Sequence, residues 1–176
     1  FHAVSIGTTT GFTIHDVSSS WFSPLASQVL FLLMVIGGCV ASTSGGLKVQ
    51  RIAVLGRLFG RQLREAVRTP REANPLTFDG RIVGSREVER AAAIAIAWAL
   101  TTSVIWSVTL LLSNLGTWEA LSGAVSAVSN IGPSAVDPSV FRELGSGVKV
   151  CYILAMVAGR LEILPFLLIF SRRGWR

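Results

Sequence analysis

The sequence predicts an all-α membrane protein built from a repeated unit, and three observations carry that prediction. The first is composition. Of 176 residues, 51 % are hydrophobic and 15 % charged, with a mean hydropathy of +0.58, whereas a water-soluble chain is about a quarter charged. The second is length: the apolar stretches 21–40, 91–112 and 148–170 approach or exceed the roughly 20 residues that cross a bilayer. The third is self-similarity at an offset of 121 residues. Ala3-Val4-Ser5 falls on Ala124-Val125-Ser126, Gly11 on Gly132, Asp16 on Asp137, Leu33 on Leu154 and Gly38 on Gly159, without a gap. A register held through two apolar segments reads as an internal repeat. Each unit has a short helix, a Thr/Ser/Gly turn, a polar stretch and a long apolar helix.

The elements follow in order. Residues 1–20 read as the end of a short helix, the turn Thr8–Thr13 and a polar stretch with a serine run at 18–20. Segment 21–69 opens on Trp21, an interfacial aromatic at the start of an apolar helix. That helix is interrupted at 37–46, where four glycines and three hydroxyl residues in ten positions give poor helix propensity. Either this is an unwound loop lining a cavity or it is a small-residue face for close helix packing. A helix resumes over 48–68 with Ile52, Leu55, Leu58, Phe59 and Leu63 on one side, and Thr69-Pro70 ends it. Segment 70–87 is a polar loop or small hairpin. Segment 88–114 is the outer transmembrane helix. Segment 115–147 holds a second short helix (Leu121, Val125 and Val128 its apolar positions), a turn at Asn130–Pro133 and a polar return, a re-entrant path. Segment 148–176 is the inner transmembrane helix with a basic end.

Charge sets the expected orientation. From Lys48 to Arg90 there are ten basic residues against five acidic ones, Arg172, Arg173 and Arg176 close the chain, and between Asn114 and Gly147 only Arg142 is basic. The positive-inside rule puts 48–90 and the C-terminus in the cytoplasm and 114–147 outside. The basic run abuts a membrane helix, which argues against nucleic acid as its partner. Cys39 and Cys151 lie in apolar segments and read as packing residues. The chain opens on Phe1 without a signal-peptide pattern and reads as the C-terminal piece of a longer protein.

A short helix ending in a Thr/Ser/Gly turn inside a membrane has the geometry of an ion-selectivity filter. Backbone carbonyls replace the water around a dehydrated cation, and glycine permits the angles that aim them. Neither turn carries a carboxylate, which favours a monovalent cation, K⁺ before Na⁺. The alternative is a re-entrant turn with no role in conduction.

Four motifs, Thr-Thr-Thr-Gly-Phe-Thr (8–13), Gly-Gly-Cys-Val-Ala-Ser-Thr-Ser-Gly-Gly-Leu-Lys (37–48), Asn-Ile-Gly-Pro (130–133) and Gly-Arg-Leu-Glu (159–162), resemble in order those of the TrkH/TrkG/KtrB family of potassium uptake proteins, TrkH more closely than KtrB. The resemblance covers essentially the whole chain. It implies four helix–pore-loop–helix repeats around one potassium-channel-like pore, of which this chain would hold the end of repeat three and all of repeat four. It also implies that Thr9, Thr10, Gly11 and Phe12 line the third filter strand and Asn130, Ile131, Gly132 and Pro133 the fourth. Stretch 37–48 resembles an intramembrane gating loop containing Gly45 and Gly46 and closed by Lys48. Potassium would be the transported ion, held at filter carbonyls with no cofactor. The partners implied are the lipid bilayer, the remaining repeats of the same chain, a second copy in a homodimer, and a TrkA/KtrA-like cytosolic nucleotide-binding regulatory subunit. The setting implied is a bacterial or archaeal plasma membrane. One departure is Ser134, where the family has a second glycine, which weakens the case for strict selectivity. Another is the short stretch 135–147.

Arg160 sits in an apolar segment, where a charge faces a cavity or a partner. Glu162, two residues on, lies on a different helical face and is a poor partner within the helix. Either Arg160 is a pore barrier against carbonyls of 37–46, as in the family, or it forms a structural ion pair. His2 and His15 flank the first turn, His15 as a pH sensor or as a solvated vestibule residue. Asp16 and Asp137 either concentrate cations or form turns. Only Arg160 and Glu162 are ionisable deep in the spans, which leaves a membrane enzyme without a catalytic constellation. A non-conducting assembly subunit is opposed only by the filter motifs.

Overall fold

The computed structural model describes residues 1–39, 42, 44–67, 77–78, 81–82 and 84–162. The helices are α1 (His2–Gly7), α2 (Pro24–Ile36), α3 (Val49–Val67), α4 (Ser85–Leu112), α5 (Thr117–Ser129), α6 (Pro138–Glu143) and α7 (Ser146–Arg160). Between α3 and α4 lies a hairpin of β1 (Thr77–Phe78) and β2 (Arg81–Ile82), antiparallel with Thr77 opposite Ile82 and Phe78 opposite Arg81.

Helix α5 is the hub. It packs against α2, α4 and α7, and every residue from Ser122 to Ser129 is buried. The sequence pattern predicts one apolar stripe at Leu121, Val125 and Val128. From Ser122 onward the helix is enclosed on all sides instead, because Ala, Ser, Gly and Val let neighbouring backbones come close. A side chain at Gly123 would overlap the Tyr152 hydroxyl, and one at Gly159 would overlap the Val128 carbonyl. Those contacts advance together along both helices, so α5 and α7 run parallel. Their starts lie beside the end of α4. Trp106 Nε1 donates to the Thr117 carbonyl at 3.3 Å, and a Cβ on Gly147 would meet Leu112 Cδ1 at 3.3 Å. Residues 130–145 therefore carry the chain back to the end at which α5 began.

Helix lengths depart from the apolar stretches. Among the described residues, Ser85–Leu112 is the one helix long and apolar enough to cross a membrane. Stretch 21–40 yields only the 13 residues of α2. Trp21 and Phe22 are held in ring contacts with His2, Ser23 caps the helix by accepting from the Ala26 amide at 3.3 Å with Pro24 at its first position, and Gly37 at φ +69° ends it. Of stretch 148–170, α7 accounts for the part up to Arg160. Residues 163–170, the expected stop at Thr69-Pro70, most of the 70–87 loop, Val40, Ala41 and Thr43, and the arginines 172, 173 and 176 lie outside the described residues.

Two further details differ. On α3 the residues that pack on α4 are Val54, Leu55 and Leu58, against Val88 and Ala91, while Phe59 and Leu63 of the expected stripe are exposed. Helix α6 forms within the stretch expected to be a polar return, because Asp137 accepts from the Ser139 amide at 2.8 Å and Pro138 pre-sets the first helical φ.

Candidate functional site

The two glycine turns close in the same way at positions 121 apart. Just past α1 the chain takes φ +56° at Thr9, and just past α5 it takes φ +56° at Asn130. Thr9 N donates to Ile6 O at 3.0 Å, and Asn130 N to Ala127 O at 3.2 Å. Thr10 N donates to Ser5 O at 2.8 Å, and Ile131 N to Ser126 O at 3.1 Å. Gly11 and Gly132 follow at φ +81° and +102°, a region where a Cβ is costly.

These bonds orient the strand carbonyls. In a trans peptide the C=O points opposite to the N–H, and no peptide bond here is cis. Thr10 N and, at 3.3 Å, Gly11 N both donate to Ser5 O, so the carbonyls of Thr9 and Thr10 point away from α1. The Asn130 carbonyl likewise points away from α5. Phe12 differs: its carbonyl accepts from Ser5 Oγ at 2.7 Å and is turned back toward α1. The two strands touch, since a Cβ on Gly11 would overlap the Ile131 carbonyl and lie 3.5 Å from Pro133 Cδ. The second turn is tied to α7 by Asn130 Nδ2, which donates to the Met156 carbonyl at 3.0 Å. Ser134 is not among the residues at positive φ, and its hydroxyl accepts from Val136 N at 3.3 Å. A serine is thus accommodated there without backbone strain.

The described residues between α2 and α3 form no helix or strand, and Gly45 and Gly46 pack against Ser129 at the end of α5. A Cβ on Gly45 would lie 2.7 Å from both the carbonyl carbon and oxygen of Ser129. Gly46 takes φ +80°, and a Cβ there would meet Ser129 Oγ at 3.5 Å. The loop is braced internally: Gly38 N donates to Ser44 Oγ at 3.0 Å, Ser42 Oγ donates to Cys39 O at 2.6 Å, and Val49 N donates to Gly38 O at 3.2 Å.

Lys48, the residue before α3, takes φ +62° and is 7 % exposed. Its Nζ lies 2.6 Å from Glu162 Oε1, and Arg51 Nη2 lies 2.7 Å from Glu162 Oε2. One carboxylate just past α7 thus holds two cations on the far side of the loop. The sequence alone places Lys48 at the loop's end but assigns Glu162 no partner. The signal that could have found one is the rule that a carboxylate in an apolar segment has a cationic partner. Arg160 is the last residue of α7 and is exposed.

At the opposite end, His2 Nε2 accepts from Ile14 N and His15 N, both at 3.2 Å, and His15 stacks on Trp21 with ring centroids 4.7 Å apart. Asp137 caps α6 through the Ser139 hydroxyl at 2.5 Å and the Ser139 amide. Those two hydrogen bonds, the hydroxyl first, hold its carboxyl below the ordinary value of 3.8.

The family model TrkH, described as a cation transport protein, matches residues 1–174. The chain is 33 % identical to the Trk system potassium uptake protein TrkH of Vibrio parahaemolyticus and 34 % identical to TrkI of Halomonas elongata. Each alignment covers 100 % of this chain and 36 % of the relative. The crystal structure of the potassium transporter TrkH from Vibrio parahaemolyticus superposes with a TM-score of 0.83 at 29 % identity, over 99 % of this chain and 37 % of that one. The chain therefore spans little more than a third of the length of the relatives it matches. On the family match over nearly its whole length, this chain belongs to the TrkH family of cation transport proteins.

Proposed function

We propose that this chain forms part of a gated pore that carries K⁺ across a membrane, with a selectivity filter made of backbone carbonyls. The observation that carries the reading is the pair of matched turns. Two strands 121 residues apart share left-handed residues, hydrogen bonds and glycine positions, and they meet at Gly11 and Ile131. Four such strands around an axis would supply the carbonyl cage that replaces a hydration shell. In this reading Thr9, Thr10, Gly11 and Phe12 belong to the third strand and Asn130, Ile131, Gly132 and Pro133 to the fourth. Residues 1–39 would close repeat three, and 85–162 would make most of repeat four. The parallel course of α5 and α7 and the return over 130–145 favour a pore loop.

Stretch 37–48 acts as the gate in this reading. Its Gly45 and Gly46 lie against Ser129 at the end of α5, and the Lys48–Glu162–Arg51 cluster anchors its last residue. Gly45 and Gly46 let it approach the filter base, and Arg160 adds positive charge at the same end. The names of the relatives support potassium as the ion. The remaining repeats, a second copy and a TrkA-like regulator complete the transporter in a cell membrane, with the basic stretch after α2 on the cytoplasmic side.

Uptake of ⁸⁶Rb⁺ by liposomes containing the full-length transporter, with and without competing Na⁺, tests the reading. Rb⁺ uptake that survives Na⁺ is expected. Uptake abolished by Na⁺ would favour the less selective K⁺/Na⁺ reading that Ser134 motivates. No uptake by folded protein supplied with its regulator would favour a non-conducting assembly subunit.

A further inference from the structure

Ser5 contacts more of the third strand than any position singled out from the sequence. It is buried on α1, 6 % exposed. Its carbonyl accepts from Thr10 N and Gly11 N at 2.8 and 3.3 Å, and its hydroxyl donates to Phe12 O at 2.7 Å. One residue therefore sets three peptide units with two opposite outcomes. The Thr9 and Thr10 carbonyls are turned away from the helix, and the Phe12 carbonyl is turned toward it. On the fourth strand the first of these backbone bonds recurs, from Ile131 N to the Ser126 carbonyl at 3.1 Å. Among the described residues, no bond from Ser126 Oγ to Pro133, the counterpart of Phe12, accompanies it.

We propose that Ser5 is a positioning residue for cation discrimination: its hydroxyl holds the Phe12 carbonyl out of the ion's coordination shell and fixes the third strand at the spacing that its Thr9 and Thr10 carbonyls require. The proposal rests on the filter reading given above. A filter discriminates through the number and field of its carbonyl dipoles. A further carbonyl free to swing toward the ion, on a strand no longer tethered at that end, changes both. The smaller ion gains, because a loosened cage can contract around Na⁺. The hydroxyl bond is short and shielded, and hydrogen bonds of this kind contribute on the order of 1 kcal/mol net. Its loss is therefore expected to lower discrimination by about fivefold.

The test uses the full-length transporter in liposomes. The readout is the ratio of Rb⁺ to Na⁺ permeability, which does not depend on how much protein is active. Ser5→Ala is expected to lower that ratio by about fivefold, and Ser5→Thr, which keeps the hydroxyl, to restore most of it. A Ser5→Ala ratio equal to wild type overturns the proposal. Equal loss in the Ala and Thr variants also overturns it, because packing alone then explains the effect. If the Ala variant does not assemble, Ser5→Cys, close in size with a much weaker donor, takes its place, and a wild-type ratio or a loss equal to that of Ser5→Thr overturns the proposal in the same way. A wild-type transporter with no Rb⁺ flux, or with none preferred over Na⁺, removes the filter reading itself and this proposal with it. That failure is visible before any Ser5 variant is measured.

Discussion

Glu162→Gln removes the charge that holds Lys48 and Arg51 while nearly preserving the shape of the side chain. The wild-type contacts are short, 2.6 Å to Lys48 and 2.7 Å to Arg51, and the side chains are 31 %, 8 % and 19 % exposed for Glu162, Lys48 and Arg51. Hydrogen bonds to charged groups contribute about 1.5–3 kcal/mol each, and the partial exposure of Glu162 reduces that by solvent screening. A glutamine keeps one acceptor but turns an NH₂ toward the other cation. It also leaves the buried Lys48 ammonium with its neutral contact to Ser42 O at 3.5 Å. A net loss of about 2–3 kcal/mol is expected, which shifts the ratio of held to released loop by roughly 30- to 150-fold. Lys48 at φ +62° and Glu162 at φ +60° both occupy the left-handed region, which costs each about 1–2 kcal/mol, so the loop has strain to relieve once the cluster is broken. The assay is ⁸⁶Rb⁺ leak through the full-length transporter without its regulator, together with the double-mutant cycle against Arg51→Gln. Raised leak and a non-additive cycle are expected. Leak unchanged while thermal stability falls would refute the gating role and leave the cluster as a structural pair.

Three further predictions rest on separate features. Gly11→Ala should abolish Rb⁺ flux and lower thermal stability, because the backbone at φ +81° alone costs about 1–2 kcal/mol and the new methyl meets the Ile131 carbonyl; normal flux by this variant would contradict the close approach of the two strands. Gly45→Ala places a methyl 2.7 Å from the Ser129 carbonyl group, an overpacking of about 1–3 kcal/mol that should displace the loop and raise leak, measured as for Glu162→Gln. Asp137 has a depressed carboxyl, so its cap on α6 is fully present above the ordinary value of 3.8 and is lost as pH falls through the lower folded value; hydrogen-exchange protection at the Ser139 amide should follow that course, and Asp137→Asn should remove the pH dependence.

What can be read from the sequence follows from the range of the interactions involved. The two turns are legible because their signals are local: Gly11 and Gly132 sit at the same offset as their flanking residues, and the left-handed residues lie two positions before each. Asn130 is a residue type that tolerates φ > 0, whereas Thr9, β-branched, gives no such hint. The interruption at 37–46 is legible from its glycines. The Lys48–Glu162 pair is not, since its members are 114 residues apart and the packing of α5 against α2 and α7 and of α4 against α3 and α7 brings them together. The true burial of α5 is hidden for the opposite reason. A helix of small residues gives a weak periodic signal, and its enclosure depends on three neighbours. The role of Ser5 is masked by its type, because a serine in a membrane helix is ordinarily read as a small packing residue. The apolar stretch 21–40 overstates α2 because hydropathy does not register a Ser-Pro cap at one end or a glycine at the other.

The proposal that backbone carbonyls of the two turns coordinate the transported ion is tested by locating Rb⁺ through its anomalous scattering in crystals of the full-length transporter. A peak is expected beside the Thr9, Thr10 and Asn130 carbonyls, on the side away from α1 and α5, and it should fade when Rb⁺ is exchanged for Na⁺. Rb⁺ ordered elsewhere, with those carbonyls bound to protein donors or water alone, would contradict the carbonyl filter.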